Sequence, residues 1–187
     1  TPIDPGAPLA GVEQGRVVQY YPGAIYTVNG VIQAVGSEQN VLANVDPNAV
    51  DFELDCGGRC LVPGFVDCHT HMCFAALREE EFALRLEGAD YLEILQKGGG
   101  ILASVRAVHQ ATELELFVRT RSRVLAALQQ GTTTIEIKSG YGLDTQTELK
   151  MLRVIEQVGL ETPADVAATF MGAHAVPREF AGRPDEY

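Results

Sequence analysis

His69 and His71 stand one residue apart at the end of Leu61-Val-Pro-Gly-Phe-Val-Asp-Cys-His-Thr-His71, a short apolar run with strand character. Residues two apart on a strand share a face, so the two imidazoles project side by side, which suits a single metal ion. Val62, Phe65 and Val66 read as a buried-type strand, and Pro63-Gly64 permits close backbone packing near its start. Asp67 adds a carboxylate within hydrogen-bonding reach of a neighbour, as the outer shell of a metal site requires. A bare His-x-His also arises by chance; the crowding of polar groups at one strand end is what gives this one weight.

Further candidates follow two other strand-like runs. Lys138-Ser-Gly-Tyr-Gly142 has glycines on either side of Tyr141, which let the backbone turn sharply and hold a phenol over a mouth. A solvated loop tyrosine is the plainer reading. Gly172-Ala-His-Ala-Val-Pro177 sets His174 just past a strand, and Arg78 lies beyond the paired histidines in Phe74-Ala-Ala-Leu-Arg-Glu-Glu-Glu-Phe82. The four cysteines, Cys56, Cys60, Cys68 and Cys73, contain no Cys-x-x-Cys knuckle, so they read as reduced, buried thiols rather than a structural zinc site.

The elements that must position these groups change character near residue 60. Before it the pattern is β: Arg16 to Tyr21, Ala24 to Thr27, Val31 to Val35 and Val50 to Leu54 are short runs of Val, Ile, Tyr and Phe, with Asn29-Gly30 as a hairpin signal. They predict a small sheet or β-sandwich over residues 1–60. After it strands and helices alternate, the pattern of parallel βα units in an α/β fold.

Thr112 to Gln130 is the clearest helix. Leu114, Phe117, Val118, Val124, Leu125 and Leu128 recur at helical spacing, Thr112 with Glu115 forms a capping box, and Gly131 ends it before a strand at Thr132 to Lys138. Thr145-Gln-Thr-Glu148 reads as a second capping box, followed by an apolar stripe at Leu149, Leu152, Ile155 and Val158, a stop at Gly159 and a strand at Val166 to Phe170. Active sites of such folds lie at the carboxyl ends of the strands, where all the candidates above fall.

The chain of 187 residues is 46% hydrophobic and 21% charged, the composition of a globular protein with a substantial core. Its formal charge of -11 argues against nucleic acid or an anionic membrane as partner, because no basic stripe is present to neutralise phosphates. No window approaches 18 consecutive apolar residues and no basic segment precedes an apolar core, so the expected compartment is the cytoplasm and the expected partner a small molecule. The start at Thr1 rather than methionine weakens the compartment reading.

Val62-Pro-Gly-Phe-Val-Asp-Cys-His-Thr-His71 resembles the first barrel strand of the amidohydrolase superfamily, in which a sandwich domain precedes the barrel. Arg78-Glu-Glu-Glu-Phe82, Gly98-Gly-Gly-Ile101, Glu136-Ile-Lys-Ser-Gly-Tyr-Gly142 and Phe170-Met-Gly-Ala-His-Ala-Val-Pro177 resemble the imidazolonepropionases within it. The resemblance covers nearly the whole chain and implies an N-terminal small β-sandwich followed by the first half of a (β/α)₈ barrel over residues 61–187. It implies hydrolysis of the ring amide of 4-imidazolone-5-propanoate to N-formimino-L-glutamate, in histidine degradation, with one zinc or iron ion. Residue by residue, His69 and His71 match metal ligands, and Arg78, Tyr141 and His174 match substrate-binding residues. Some binuclear relatives bridge two metals with a carboxylated lysine at a strand end, but the Ser-Gly-Tyr that follows Lys138 resembles mononuclear members, so Lys138 is read as structural. The resemblance leaves a homodimer open.

A complete barrel takes about 250 residues, so the expectation is a fragment: the remaining ligands and the proton-transfer residues would lie beyond Tyr187, and the first strand of the sandwich would be missing. Two ligands rarely hold a catalytic metal and a half-barrel exposes strand edges, so the piece alone is expected to be inactive and prone to aggregate. Two rival readings stand beside this one. Another amidohydrolase, such as a guanine deaminase-like enzyme, shares His-x-His without needing Arg78 or the Ser-Gly-Tyr-Gly loop, and a non-catalytic metal-binding module would need neither.

Overall fold

The computed structural model describes residues 9–96 and 98–187; the first eight residues of the expected N-terminal domain lie outside them. The chain divides into two compact units, Thr1–Pro63 and Gly64–Tyr187.

In the first unit, β1 (Gly23–Val28) and β2 (Val31–Ser37) form an antiparallel hairpin. Asn29 and Gly30 take φ of 49° and 77°, the left-handed conformation that a tight hairpin turn demands and that Asn-Gly supplies at least cost. Ser37 then caps α1 (Glu38–Leu42) by accepting from the Asn40 amide, and Val41 is buried. The other two expected strands are not formed: Val50 to Leu54 has no ladder partner, and Arg16 to Tyr21 has a single bridging residue. Phe52 and Leu54 alternate as strand residues should but remain exposed. A pleat is stabilised by a ladder of cross-strand pairs and a covered face, and among the described residues neither run extends into such a ladder. The described part of this unit contains a two-stranded sheet, β1-β2.

The second unit is α/β. Its sheet contains β3 (Phe65–Thr70), β4 (Thr132–Lys138) and β5 (Asp165–Thr169), all parallel, in the order β3-β4-β5. Between β3 and β4 come α2 (Glu79–Leu86), α3 (Tyr91–Gln96), α4 (Ile101–Gln110) and α5 (Glu113–Gln129); α6 (Thr145–Leu160) joins β4 to β5. The capping box of α5 is formed, with the Glu115 amide donating to Thr112 Oγ1 at 3.2 Å and the Thr112 amide to Glu115 Oε2 at 2.8 Å. The second box is not the expected one. Asp144 caps α6 by accepting from the Thr147 amide at 2.9 Å, which makes Thr145 the first helical residue and leaves Glu148 for another use.

The core lies where α5 and α6 cover the sheet. Ile135 and Ile137 alternate along β4 and are fully buried against Leu116 and Val124 of α5 and Met151, Val154, Ile155 and Val158 of α6, with Val108 of α4 and Cys73 beside them. Each such side chain contributes about 1.5–3 kcal/mol on burial. The face α5 turns inward runs through Leu116, Thr120 and Val124, so Leu114 and Val118, assigned to the buried stripe from spacing, are exposed, as is Leu149 of α6. β3 also departs from expectation. Phe65 and Val66 are exposed, because β3 is an edge strand and α5 and α6 pack on β4 and β5; Val62, which precedes the strand, is exposed too. Among the thiols only Cys73 is buried; Cys60 and Cys68 are exposed, and all four are free.

Close backbone approach fixes the entry to the sheet. A side chain on Gly64 would place Cβ 2.1 Å from Thr133 Oγ1, closer than any atom can sit, so only glycine lets β3 start beside β4. Among the described residues no helix is long and apolar enough to cross a membrane.

Candidate active site at three strand ends

Parallel pairing brings the ends of β3, β4 and β5 side by side, and each delivers part of one cluster. β3 runs into His69 and His71, whose ring centroids are 5.7 Å apart at 69° between planes. Asp67 Oδ1 accepts from the His69 amide at 3.4 Å, so this carboxylate does reach a neighbour. The segment after His71 is tied to α5 by Arg123, whose guanidinium donates to the carbonyls of Met72 and Phe74 at 2.8 Å each and lies 3.5 Å over the Phe74 ring. That clamp fixes where the chain leaves the strand, and hence where His71 points.

β4 runs into Ser139-Gly-Tyr-Gly142. The Ser139 amide donates to the Thr169 carbonyl at 3.0 Å and its hydroxyl accepts from the Met171 amide at 3.0 Å, binding this loop to the one after β5. Gly140 has φ of 106°, and a Cβ there would meet the Met171 carbonyl oxygen and the His174 Cβ, each at 2.9 Å. The glycine is therefore required twice, for its conformation and for the approach of His174.

After β5 the chain turns at Met171, whose carbonyl accepts from the His174 amide at 3.1 Å. His174 then stacks on His71, centroids 4.8 Å apart and planes 11° from parallel. Tyr141 sits 5.2 Å from the His71 ring and 5.6 Å from that of His174. The Gly140 carbonyl lies 3.1 Å from His174 Nδ1; a carbonyl only accepts, so Nδ1 carries the proton and Nε2 is left for other use.

Arg78 stands at the start of α2, with a guanidinium nitrogen 3.8 Å from Glu81. Burial pushes the Tyr141 phenol above the usual tyrosine range, and the positive charge of Arg78 partly offsets this, which puts Arg78 within electrostatic range of the phenol. His69, His71, Tyr141 and His174 thus share one neighbourhood within the second unit.

The structure adds two residues, Glu136 and Lys138, to the surroundings of His71. Glu136 accepts from Thr169 Oγ1 at 2.7 Å and from the Lys138 ammonium, while its Oε2 is buried without a hydrogen-bond partner. The hydrogen bonds from Lys138 and Thr169 hold its carboxyl below the usual range. Lys138, expected to be structural, makes this ion pair and also helps depress His71. The signal was the period-two alternation of β4: Ile135 and Ile137 face the helices, so Glu136 and Lys138 must face the other way.

His71 Nδ1 is buried without a hydrogen-bond partner as well. Metal–nitrogen bonds of about 2.1 Å allow two rings with centroids 5.7 Å apart to reach one ion, so the pair fits as part of a ligand set. Among the described residues no group of three or more His, Cys, Asp or Glu is arranged to hold a metal.

No protein-family model matches the chain. Its sequence is 63% identical over all 187 residues to the imidazolonepropionase of Syntrophobacter fumaroxidans, covering 44% of that protein. It is 54% identical over 187 residues to that of Desulfotalea psychrophila, covering 45%, and 49% identical over 162 residues to that of Haloarcula marismortui, covering 39%. The chain spans less than half the length of these relatives. Over all of its 187 residues, the chain is similar to the imidazolonepropionases of Syntrophobacter fumaroxidans and Desulfotalea psychrophila.

Proposed function

We propose that the protein to which this chain belongs hydrolyses the ring amide of 4-imidazolone-5-propanoate, giving N-formimino-L-glutamate. The observation that carries this reading is the convergence of His69, His71, Tyr141 and His174 at three adjacent parallel strand ends, with the likeness to imidazolonepropionases along the whole chain in support.

β3, β4 and β5 are then the first strands of a (β/α)₈ barrel over residues 61–187, and the β1-β2 hairpin is part of a small β-sandwich over residues 1–60. His69 and His71 hold one zinc or iron ion, together with ligands from strands that a protein of the relatives' length would add. Such an ion would supply Lewis acidity, which lowers the pKa of water to about 7 and makes attack on an amide feasible at neutral pH. Water oxygen bonds to the ring carbonyl carbon, the carbon–nitrogen bond breaks, and the proton passes to the departing nitrogen.

This chain's own residues bind and orient. The planar Arg78 guanidinium grips the propionate through paired hydrogen bonds. Tyr141 packs on the ring, and its raised pKa keeps the phenol a neutral donor. His174, its Nδ1 spent on Gly140, offers Nε2 toward the ring carbonyl, where negative charge develops. The groups that transfer protons come from later strands. The four free thiols suit a reducing compartment such as the cytoplasm.

The test is spectroscopic. A metal-loaded protein of the relatives' length should abolish imidazolone absorbance when mixed with this substrate. Folded, metal-loaded protein that leaves the absorbance unchanged would overturn the reading.

A further inference from the structure

Glu148 is 3% exposed, a depth at which a carboxylate needs partners. Those it has are three backbone amides of a single loop. Oε2 accepts from Gly140 at 2.8 Å, and Oε1 accepts from Gly142 at 2.7 Å and from Leu143 at 2.9 Å. The three amides bracket Tyr141 in sequence.

Helix capping does not account for this. Asp144 already caps α6 through the Thr147 amide, and the amides Glu148 binds belong to the loop rather than the helix. Its place in the first turn of α6 does help, because the helix dipole favours negative charge there. The loop, for its part, is shaped to receive the carboxylate. Leu143 holds φ of 56°, which a side chain rarely adopts unless its surroundings enforce it. A Cβ on Gly142 would sit 2.6 Å from the Glu148 nitrogen and 2.9 Å from Oε1. The contact also extends past the loop, since Gly140 donates its N–H to Glu148 while its carbonyl accepts from His174 Nδ1 at 3.1 Å.

We propose that Glu148 is a positioning residue for the substrate pocket: its buried carboxylate fixes the reach of Tyr141 and, through Gly140, of His174. The inference rests on the pocket described under Proposed function. Glutamine is nearly isosteric, but it offers one acceptor oxygen and turns an NH₂ toward an amide that is itself a donor. At least one of the three bonds is lost, and the loop must shift.

The experiment is a double-mutant cycle in the metal-loaded protein of the relatives' length. Glu148→Gln should lower kcat/KM about 100-fold, the loss a misplacement of about 1 Å produces, with bound metal unchanged. In a Tyr141→Ala/His174→Ala background the same substitution should cost far less, because the groups it positions are gone. Equal losses in both backgrounds, or wild-type kcat/KM in the single variant, would overturn the inference. Should Tyr141→Ala/His174→Ala itself retain wild-type kcat/KM, the pocket reading fails, and this inference with it. Amide exchange of the unmutated protein gives a readout independent of variant folding: slow exchange at Gly140, Gly142 and Leu143 supports the clamp, and exchange at the rate of unprotected loop amides overturns it.

Discussion

The imidazoles of His71 and His174 lie stacked, 4.8 Å between centroids and 11° from parallel, although one follows β3 and the other β5. Two imidazolium ions cannot share that arrangement cheaply. Burial first, and then the positive fields of His174, His69 and Lys138, hold His71 below the ordinary histidine value, with Glu136 opposing. The folded pKa is thus the depressed one. The neutral ring's contribution to stability is fully present above pH 6.5 and is lost as pH falls below it, where the unfolded chain takes up the proton more readily. NMR titration of metal-free protein should place the His71 midpoint below 6.5; a midpoint at or above that value would contradict the packing described.

His69→Ala should remove bound metal from a protein of the relatives' length, because one imidazole of the pair is gone while the fold, whose core lies behind β4, is untouched. Metal analysis after desalting is the measurement. Unchanged stoichiometry would dismiss His69 as a ligand.

Arg78 is exposed and its nearest carboxylate is a loose 3.8 Å contact, so replacing it with alanine should hardly disturb stability, on the order of 0–1 kcal/mol. KM for 4-imidazolone-5-propanoate should rise steeply, while an analogue without the carboxylate should be turned over as before. Equal losses on both would sink the clamp.

Gly140→Ala forces a Cβ into a left-handed conformation and against the Met171 carbonyl. A loss of about 1–3 kcal/mol is expected, measured by denaturant unfolding, together with reduced turnover because His174 is displaced. A fully stable, fully active alanine variant would show that the loop has another way to close.

Cys73 sits in the core, and burial pushes its thiol up to about 11. Alkylation near neutral pH should spare it until the protein unfolds. Labelling of native protein at Cys73, read by peptide mass, would place it outside the core.

The sequence was legible where local chemistry decides the outcome. The Asn29-Gly30 turn, the Thr112 capping box and β4 all form where turn and cap residues place them. It was less legible where partners decide. Phe65 and Leu114 look apolar enough to bury, but burial belongs to whichever face a neighbour covers, and spacing alone names no neighbour. Glu148 departs from expectation for a related reason: its spacing from Thr145 fits a capping box, whereas tertiary structure sets Asp144 at the cap and turns Glu148 onto the Tyr141 loop. The cluster of His69, His71, Tyr141 and His174 could be anticipated because parallel strands bring their carboxyl ends together. Lys138 was read as structural, and its ion pair with Glu136 could have been anticipated only from the alternation of β4.

β4 has a strand on each side and carries two alternating sets of side chains, Ile135 and Ile137 against the helices and Glu136 and Lys138 on the reverse. One residue inserted or deleted within it would exchange those sets, sending charge into the core and isoleucine toward the histidines. Point substitutions can accumulate along the exposed faces of α5 and α6 with little consequence, but changes in the length of β4 cannot. In a library of single-codon insertions and deletions, Thr132–Lys138 should be the stretch where survivors are rarest.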